Sequence, residues 1–261
     1  MPQGCRPAGA EIARRDPIIR NLILLGVALA MWPAPARAMH LADGILPLGW
    51  AALWSGVAAV AVAIALVRLR RRTAADRRVR PLVALVAALV FVLSCMPIPV
   101  PVVGTCSHPC GTGLAALIVG PWLTVLVTVT ALALQALFLA HGGFTTLGAD
   151  VVSMGIAGAF VGWAAFHGLR RAGAPLGTAA FAAGLLSDWA TYAVTSLELA
   201  TALHGARPIG ATAVTIFAAF LPTQIPLGIL EGFLAAGAVR FLLRRRPDLL
   251  VRAGLAVEEP A

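Results

Sequence analysis

The sequence predicts an all-α integral membrane protein, a bundle of about six to seven transmembrane helices. Of its 261 residues, 60% are hydrophobic and only 12% are charged, and the mean hydropathy is +0.90. Soluble domains carry about 25% charged residues, and apolar runs of about 20 residues match the hydrocarbon thickness of a bilayer. Such runs recur along this chain, so we expect helices packed against one another in lipid.

The net charge of +9 comes from 20 basic residues, all of them arginines. They cluster in short segments between apolar runs, which is typical of cytoplasmic loops in membrane proteins. A nucleic-acid partner, which needs a basic patch or stripe on one face, is not predicted. Because the chain has no lysine, it has no P-loop motif. We therefore expect no enzymatic activity, with any ATP hydrolysis left to partner subunits.

Residues 1–38 have the pattern of a cleaved signal peptide. Arginines precede a short apolar run at 21–32, and Ala36-Arg37-Ala38 supplies a small-x-small cleavage site. The run is short for a membrane span and is followed by two prolines. The alternative is an uncleaved first helix.

Cleavage after Ala38 would make Met39-His40 the mature amino terminus. A free α-amine has a pKa of about 8 and releases its proton to a metal more readily than a lysine does. The Met39 amine, the His40 backbone nitrogen and the His40 imidazole would then offer three nitrogens on one strand. A fourth nitrogen would complete a planar site of the kind that suits Ni(II) or Cu(II).

Seven apolar segments follow the leader. The third is short and rich in glycine, so we expect a half-helix or a re-entrant element there. The segments are 48–68, 81–97, 108–120, 121–140, 148–169, 175–203 and 211–243.

Arginine placement predicts the orientation of these segments. With the mature amino terminus outside, the clusters at 68–80, 170–171 and 240–246 fall inside, and Arg207 is the one exception. Of the five histidines, only His167 then lies near the arginines. The others, at the outer side, are His40, His108, His141 and His204.

The outer loop at 97–113 is rich in prolines and small residues and carries His108. Irregular backbone at membrane depth is tolerated where it is buried in protein or lines a cavity, so a histidine on this loop is a candidate ligand. Cys106 and Cys110 flank His108. Three interpretations are open for them: ligands for a softer ion, a disulfide, or small packing residues.

Five polar side chains fall inside the predicted spans, where ionisable groups are functional candidates by default. Structural hydrogen bonds between helices are the favoured interpretation, because the topology places the two clearest candidates, Asp188 and Glu231, well away from the outer end. The set is Gln135, Asp188, Glu198, Gln224 and Glu231.

Several motifs resemble those of the CbiM/NikM family, the substrate-capture subunits of energy-coupling-factor ABC importers for cobalt and nickel. The amino-terminal motif is MHLADGIL at 39–46, and LAALIVGPW follows the loop histidine at 114–122. QAL at 135–137, GGFTTLGAD at 142–150 and IPLGILEG at 225–232 are also similar to family segments, as is the stretch from Asp188 to Ser196. The resemblance covers nearly all of 39–245.

The resemblance implies a metal-binding amino-terminal strand that inserts into the bundle from the outer side. Carried over by motif, the metal ligands are Met39, His40 and His108, and Asp43 helps to shape the strand. Further side chains expected around the site are Thr105, Cys106, Cys110 and His141.

The same resemblance implies a transported ion, Co²⁺ or Ni²⁺, with no other cofactor. Its partners would be a transmembrane coupling subunit, cytoplasmic ATPase subunits and a small accessory membrane subunit. It also implies a multi-pass protein of the bacterial inner membrane that supplies cobalt for cobalamin biosynthesis, with the mature amino terminus outside. The domain would span 39–245 and be followed by a cytoplasmic tail at 246–261.

The two cysteines and His141 depart from the family pattern, so capture of copper or zinc is an alternative. A membrane metalloenzyme is a further alternative, although the sequence has no HExxH motif. A passive channel is a third.

Overall fold

The computed structural model describes residues 41, 43–96, 98–100, 105–139, 141–252 and 255. This part of the chain is almost entirely helical. Its elements are α1 (Leu48–Ala75), α2 (Val79–Ser94), β1 (Ile98–Val100), β2 (Thr105–Ser107), α3 (Thr112–Val119), α4 (Pro121–Leu139), α5 (Leu147–Asp150), a π-helical segment (Val151–Gly158), α6 (Ala159–Arg171), α7 (Leu176–Leu203), α8 (Ile209–Arg245) and α9 (Pro247–Arg252).

The predicted all-α architecture is confirmed, and each of the seven apolar segments contains a helix. The third helix, α3, has only eight residues, as the glycine-rich sequence led us to expect. Before it, β1 and β2 form a two-stranded antiparallel hairpin in which Ile98 faces Ser107. The proline-rich stretch expected to be irregular is thus partly ordered as a hairpin, which needs only one ladder of hydrogen bonds.

Arginine side chains secure one end of the bundle. Arg72, in the last turn of α1, donates a 2.9 Å hydrogen bond to the carbonyl oxygen of Val119 at the end of α3. The guanidinium of Arg68 lies 4.8 Å from the ring centre of Trp122 at the start of α4, a cation–π arrangement. The end of α1, the end of α3 and the start of α4 therefore meet at this arginine-rich end.

Small residues allow the central helices to approach closely. A Cβ atom on Gly113 of α3 would lie 2.6 Å from the carbonyl oxygen of Ala183 on α7. One on Gly184 of α7 would lie 2.7 Å from the carbonyl carbon of Glu231 on α8. Close backbone approach at small residues is how helices associate in lipid, where apolar burial gives little driving force.

Four helical stretches are long and apolar enough to cross a membrane: Leu48–Ala75, Pro121–Leu139, Leu147–Arg171 and Ile209–Arg245. α2 is apolar but has only 16 residues, and α7 carries two of the buried acidic side chains. Large apolar side chains are exposed along α1 and α8, as lipid-facing helices require. They include Leu53, Val60, Phe233 and Phe241.

The predicted tail begins with α9, which folds back on the bundle. Leu250 and Leu255 are both buried in an apolar cluster with Phe166 of α6, Ala179 of α7 and Val239 of α8. Residues 1–38, predicted to be a signal peptide, lie outside the described part of the chain.

Candidate metal centre

His108 lies on the loop between β2 and α3 and is almost completely buried. Its backbone N–H donates a 2.9 Å hydrogen bond to the hydroxyl oxygen of Tyr192, which in turn donates to the His108 carbonyl oxygen at 3.3 Å. The imidazole Nδ1 lies 3.0 Å from the carbonyl oxygen of Pro109. Because that oxygen can only accept, Nδ1 carries the proton and Nε2 carries the lone pair that a metal needs.

His108 and His141 are close enough to affect each other's protonation. Burial lowers the pKa of His108 to about 4, against the opposing effect of its bond to Pro109. Burial also lowers the pKa of His141 to about 4, and the nearby His108 adds to the shift. Both imidazoles are therefore neutral near pH 7, the form that binds metal ions.

The chain just after His40 is tied to the loop and helix that follow His141. The Leu41 N–H donates a 3.3 Å hydrogen bond to Oδ1 of Asp150, and the Leu41 carbonyl oxygen accepts one from the Thr146 hydroxyl. Oδ1 of Asp43 accepts bonds from the Thr145 N–H at 2.9 Å and from the Thr145 hydroxyl at 2.6 Å. These four bonds hold both sides of the amino-terminal turn.

Gly143 allows the turn to lie directly on the loop at 141–146. A Cβ atom there would be 2.7 Å from the backbone nitrogen of Asp43, closer than real side chains come. The loop thus touches the amino-terminal segment through Gly143 and Thr145, and approaches His108 through His141. It brings the chain after His40 and the His108 loop into one neighbourhood.

The other predicted residues are distributed as follows. Met39 and His40 lie outside the described residues. Thr105 and Cys106 lie in β2, and their side chains are also outside the described part. Asp43 is exposed, and the Thr145 bonds lower the pKa of its carboxyl group.

Cys110 is a buried free thiol in the described part of the chain. Burial raises the pKa of the thiol, and the Glu231 and Asp188 carboxylates raise it further. A raised pKa favours the protonated thiol over the thiolate that soft metal ions bind. Cys110 belongs instead to a buried group with Asp188 and Glu231, whose ligand-type atoms lie within 4.8 Å of one another.

Glu231 fastens the His108 loop to α8. One carboxylate oxygen accepts a hydrogen bond from the Cys110 N–H, and the other accepts a 3.0 Å bond from the Gly111 N–H. Asp188 on α7 lies 4.0 Å from the Cys110 sulfur. The expectation that both acids lie far from the site is wrong, because the loop descends into the bundle and meets them there.

Sequence reasoning missed three side chains that shape this region: Tyr192, Thr146 and Asp150. Tyr192 is the only tyrosine of the chain, and it lies four residues after Asp188, on the same face of α7. That spacing is the signal that could have found it. Thr146 and Asp150 lie in the GGFTTLGAD motif, which marked the segment but gave neither residue a role, since that role depends on contacts with Leu41 more than 100 positions away.

The sequence of this chain matches a family model described as "cobalt uptake substrate-specific transmembrane region", CbiM, over residues 40–249. The chain belongs to the CbiM family. It is similar to the cobalt transport protein CbiM of Sorangium cellulosum, with 63% identity over 82% of this chain and 95% of that protein. It is 59% identical to the cobalt transport protein CbiM of Geobacter sulfurreducens over 85% of this chain, but spans only 64% of that relative's length.

Among solved structures, the CbiM-family fold is similar to a truncated transition metal transporter. The TM-score is 0.70, with 23% identity, and the match covers 79% of this chain and 99% of the other. At that identity the likeness concerns the fold alone. It agrees with the helical bundle described above.

Proposed function

We propose that this chain is the substrate-specific membrane subunit of a divalent metal importer, with cobalt or nickel as the captured ion. The observation that carries the proposal is the convergence on the loop at 141–146. That loop holds the chain immediately after His40 through Leu41 and Asp43, and its His141 lies near enough to His108 for the two imidazoles to interact electrostatically. His40 directly precedes Leu41 in the sequence, so the proposal places its imidazole close to that of His108.

The proposed ligands are the Met39 amine, the backbone and imidazole nitrogens of His40, and the imidazole of His108. The neutral, buried state of His108 supports this set, because a protonated imidazole cannot bind a metal. The amine becomes available only if the leader is removed after Ala38, so signal-peptide cleavage is part of the proposal. An amide-linked Met39 nitrogen would be a poor ligand.

Cobalt is favoured over nickel by the relatives, which are named cobalt transport proteins. Ligand type alone separates the two ions poorly, because they are neighbours in the divalent affinity order. Copper(I) prefers thiolate ligands, and the raised pKa of the Cys110 thiol argues against it. Metal analysis of the protein purified from cells grown with equal cobalt and nickel tests this choice.

The proposed orientation places the amino-terminal turn outside and the arginine-rich end inside, as positive charge in short loops dictates. Transport then needs an energy source, which this chain lacks because it has no P-loop. We assign that role to a transmembrane coupling subunit, cytoplasmic ATPase subunits and a small accessory membrane subunit. Co-purification of a tagged chain from its native membrane tests for them.

The ligand set is tested by retention of ⁵⁷Co²⁺ or ⁶³Ni²⁺ on the purified mature protein. His40→Ala and His108→Ala are expected to abolish retention, because each removes an imidazole ligand. His204→Ala is the matched control, since His204 lies at the end of α7 outside the cluster. Equal metal retention by all three variants would contradict the proposed ligand set.

Signal-peptide cleavage is tested on the same protein by mass spectrometry. The first residue is expected to be Met39, and blocking cleavage with Ala38→Pro is expected to abolish metal retention. A passive channel or a metalloenzyme does not need a free amine. Full retention by an uncleaved chain would therefore contradict the amino-terminal ligand model and leave those alternatives.

A further inference from the structure

An open groove of about 620 Å³ lies along the last third of α1, whereas the amino-terminal turn precedes the start of that helix. The residues that line it form two rows with a spacing of four, so they share one face of the helix. All of them are exposed. The first half of this face is apolar and the second half carries guanidinium groups. We call it the arginine groove; its residues are Ala63, Ile64, Val67, Arg68, Arg71 and Arg72.

Two of the three guanidinium groups are held in place by neutral partners. Arg72 donates a 2.9 Å hydrogen bond to the carbonyl oxygen of Val119, and Arg68 lies over the ring of Trp122. Neither contact neutralises the positive charge. Within the described part of the chain, no arginine of the groove forms an ion pair with a carboxylate. The groove therefore holds three positive charges without a described counter-charge.

The length of α1 places these charges at a definite depth in a membrane. The helix has 28 residues, whereas about 20 residues cross a hydrocarbon layer of about 30 Å. With Leu48 at one edge of that layer, the other edge is reached at Val67. The apolar half of the groove then lies beside lipid acyl chains, and its guanidinium groups lie level with the lipid headgroups.

We propose that the arginine groove binds one anionic phospholipid. Its phosphate would contact the guanidinium groups, and an acyl chain would lie along Ala63, Ile64 and Val67. Arginine binds phosphate through two parallel hydrogen bonds, and groups that are already held in place lose less conformational freedom on binding. A zwitterionic lipid fits less well, because its own cation would face three others.

The proposed orientation determines only which leaflet supplies the lipid. With the arginine-rich end inside, the groove opens to the cytoplasmic leaflet, which carries anionic lipids that attract arginines near the surface. The inference does not depend on which metal is captured, nor on whether any is. It concerns a surface that shares no residue with the proposed metal ligands.

The experiment is native mass spectrometry of the full mature chain, released from an uncharged detergent after titration with phosphatidylglycerol or phosphatidylcholine of identical acyl chains. We expect one phosphatidylglycerol per chain, bound at least about tenfold more tightly than phosphatidylcholine. The test variant is Arg71→Gln, because Arg71 is exposed and takes no part in the contacts with Val119 and Trp122. It should bind phosphatidylglycerol about fivefold more weakly.

Arg70→Gln is the matched control. It removes the same charge from the neighbouring position, which is also exposed but does not line the groove. Affinity for phosphatidylglycerol should stay at the wild-type value. Equal weakening in the two variants would mean that the lipid responds only to the overall positive charge of this end, and it would overturn the proposal.

Two other outcomes would overturn it as well. Equal affinity of the wild-type chain for the two lipids is one, and it requires no variant to fold. The other is that Arg71→Gln keeps full affinity for phosphatidylglycerol but loses a membrane protein that co-purifies with the wild type. The groove would then be a contact surface for that protein and not for a lipid.

Discussion

Replacing Glu231 with glutamine tests the attachment of the His108 loop to α8. Both Glu231 oxygens accept backbone N–H bonds, from Cys110 and Gly111. A glutamine side chain keeps one acceptor oxygen and turns an NH₂ group toward the second amide. One buried amide then loses its partner and faces another donor.

The expected cost follows from those two contacts. A buried donor left without an acceptor costs about 1–3 kcal/mol, and exchanging a charged for a neutral acceptor weakens the remaining bond by about 1 kcal/mol. The sum is roughly 2–4 kcal/mol of stability. For a chain of this size, 1 kcal/mol shifts Tm by about 2–4 °C, so Tm should fall by roughly 5–15 °C.

Thermal unfolding in detergent, followed by circular dichroism with a chelator present, measures this change. Glu198→Gln is the matched control, an identical substitution at a buried glutamate that accepts no backbone N–H bond in the described part of the chain. It removes no backbone hydrogen bond and is expected to leave Tm unchanged. An equal loss of Tm in both variants would refute the reasoning, since of the two glutamates only Glu231 has backbone hydrogen bonds to lose.

Three further outcomes are expected. Gly143→Ala places a Cβ atom 2.7 Å from the Asp43 nitrogen; it should displace the amino-terminal turn and lower Co²⁺ affinity at least about tenfold, as measured by equilibrium binding. Tyr192→Phe removes the hydroxyl that both accepts from and donates to His108; the unpaired buried groups should cost about 1–3 kcal/mol in thermal unfolding. Thr145 lowers the pKa of Asp43, so their contact contributes stability above the carboxyl group's ordinary pKa. That contribution to stability should be lost as the pH falls through the lowered pKa of Asp43. Hydrogen exchange of the Thr145 amide measures the loss.

Each of these has a control on the same chain. Gly237→Ala adds a methyl group in α8 where no atom lies within 4 Å, and it should not change Co²⁺ affinity. Tyr192→Phe should leave the Leu41 and Asp43 contacts intact, which hydrogen exchange of the Thr145 amide would show. In Asp43→Asn, protection of that amide should no longer change across the acid range; persistence of the pH dependence would contradict the assignment to Asp43.

The sequence by itself determined the helical bundle and the approximate position of the helices in its seven apolar segments, but not α9 in the predicted tail. Apolar runs between arginine clusters need no tertiary information, because lipid forces each span to satisfy its backbone hydrogen bonds internally. The proline-rich loop and the short glycine-rich helix after it could also be predicted from the sequence. Proline removes backbone N–H donors, and the glycines shorten the apolar run. His108 could be proposed as a ligand because it is the only histidine in the sequence of that loop.

Only the tertiary structure decided what lies beside His108. The approach of His141, the turn held by Thr145 and Thr146, and the attachment to Glu231 join residues about 100 positions apart or more, or from different helices. The surroundings of Cys110 were open in the sequence, and the fold places its thiol next to two carboxyl groups, which raise its pKa. Periodicity shows which face of a helix is apolar, but the packing of α7 against α8 determines which polar groups meet.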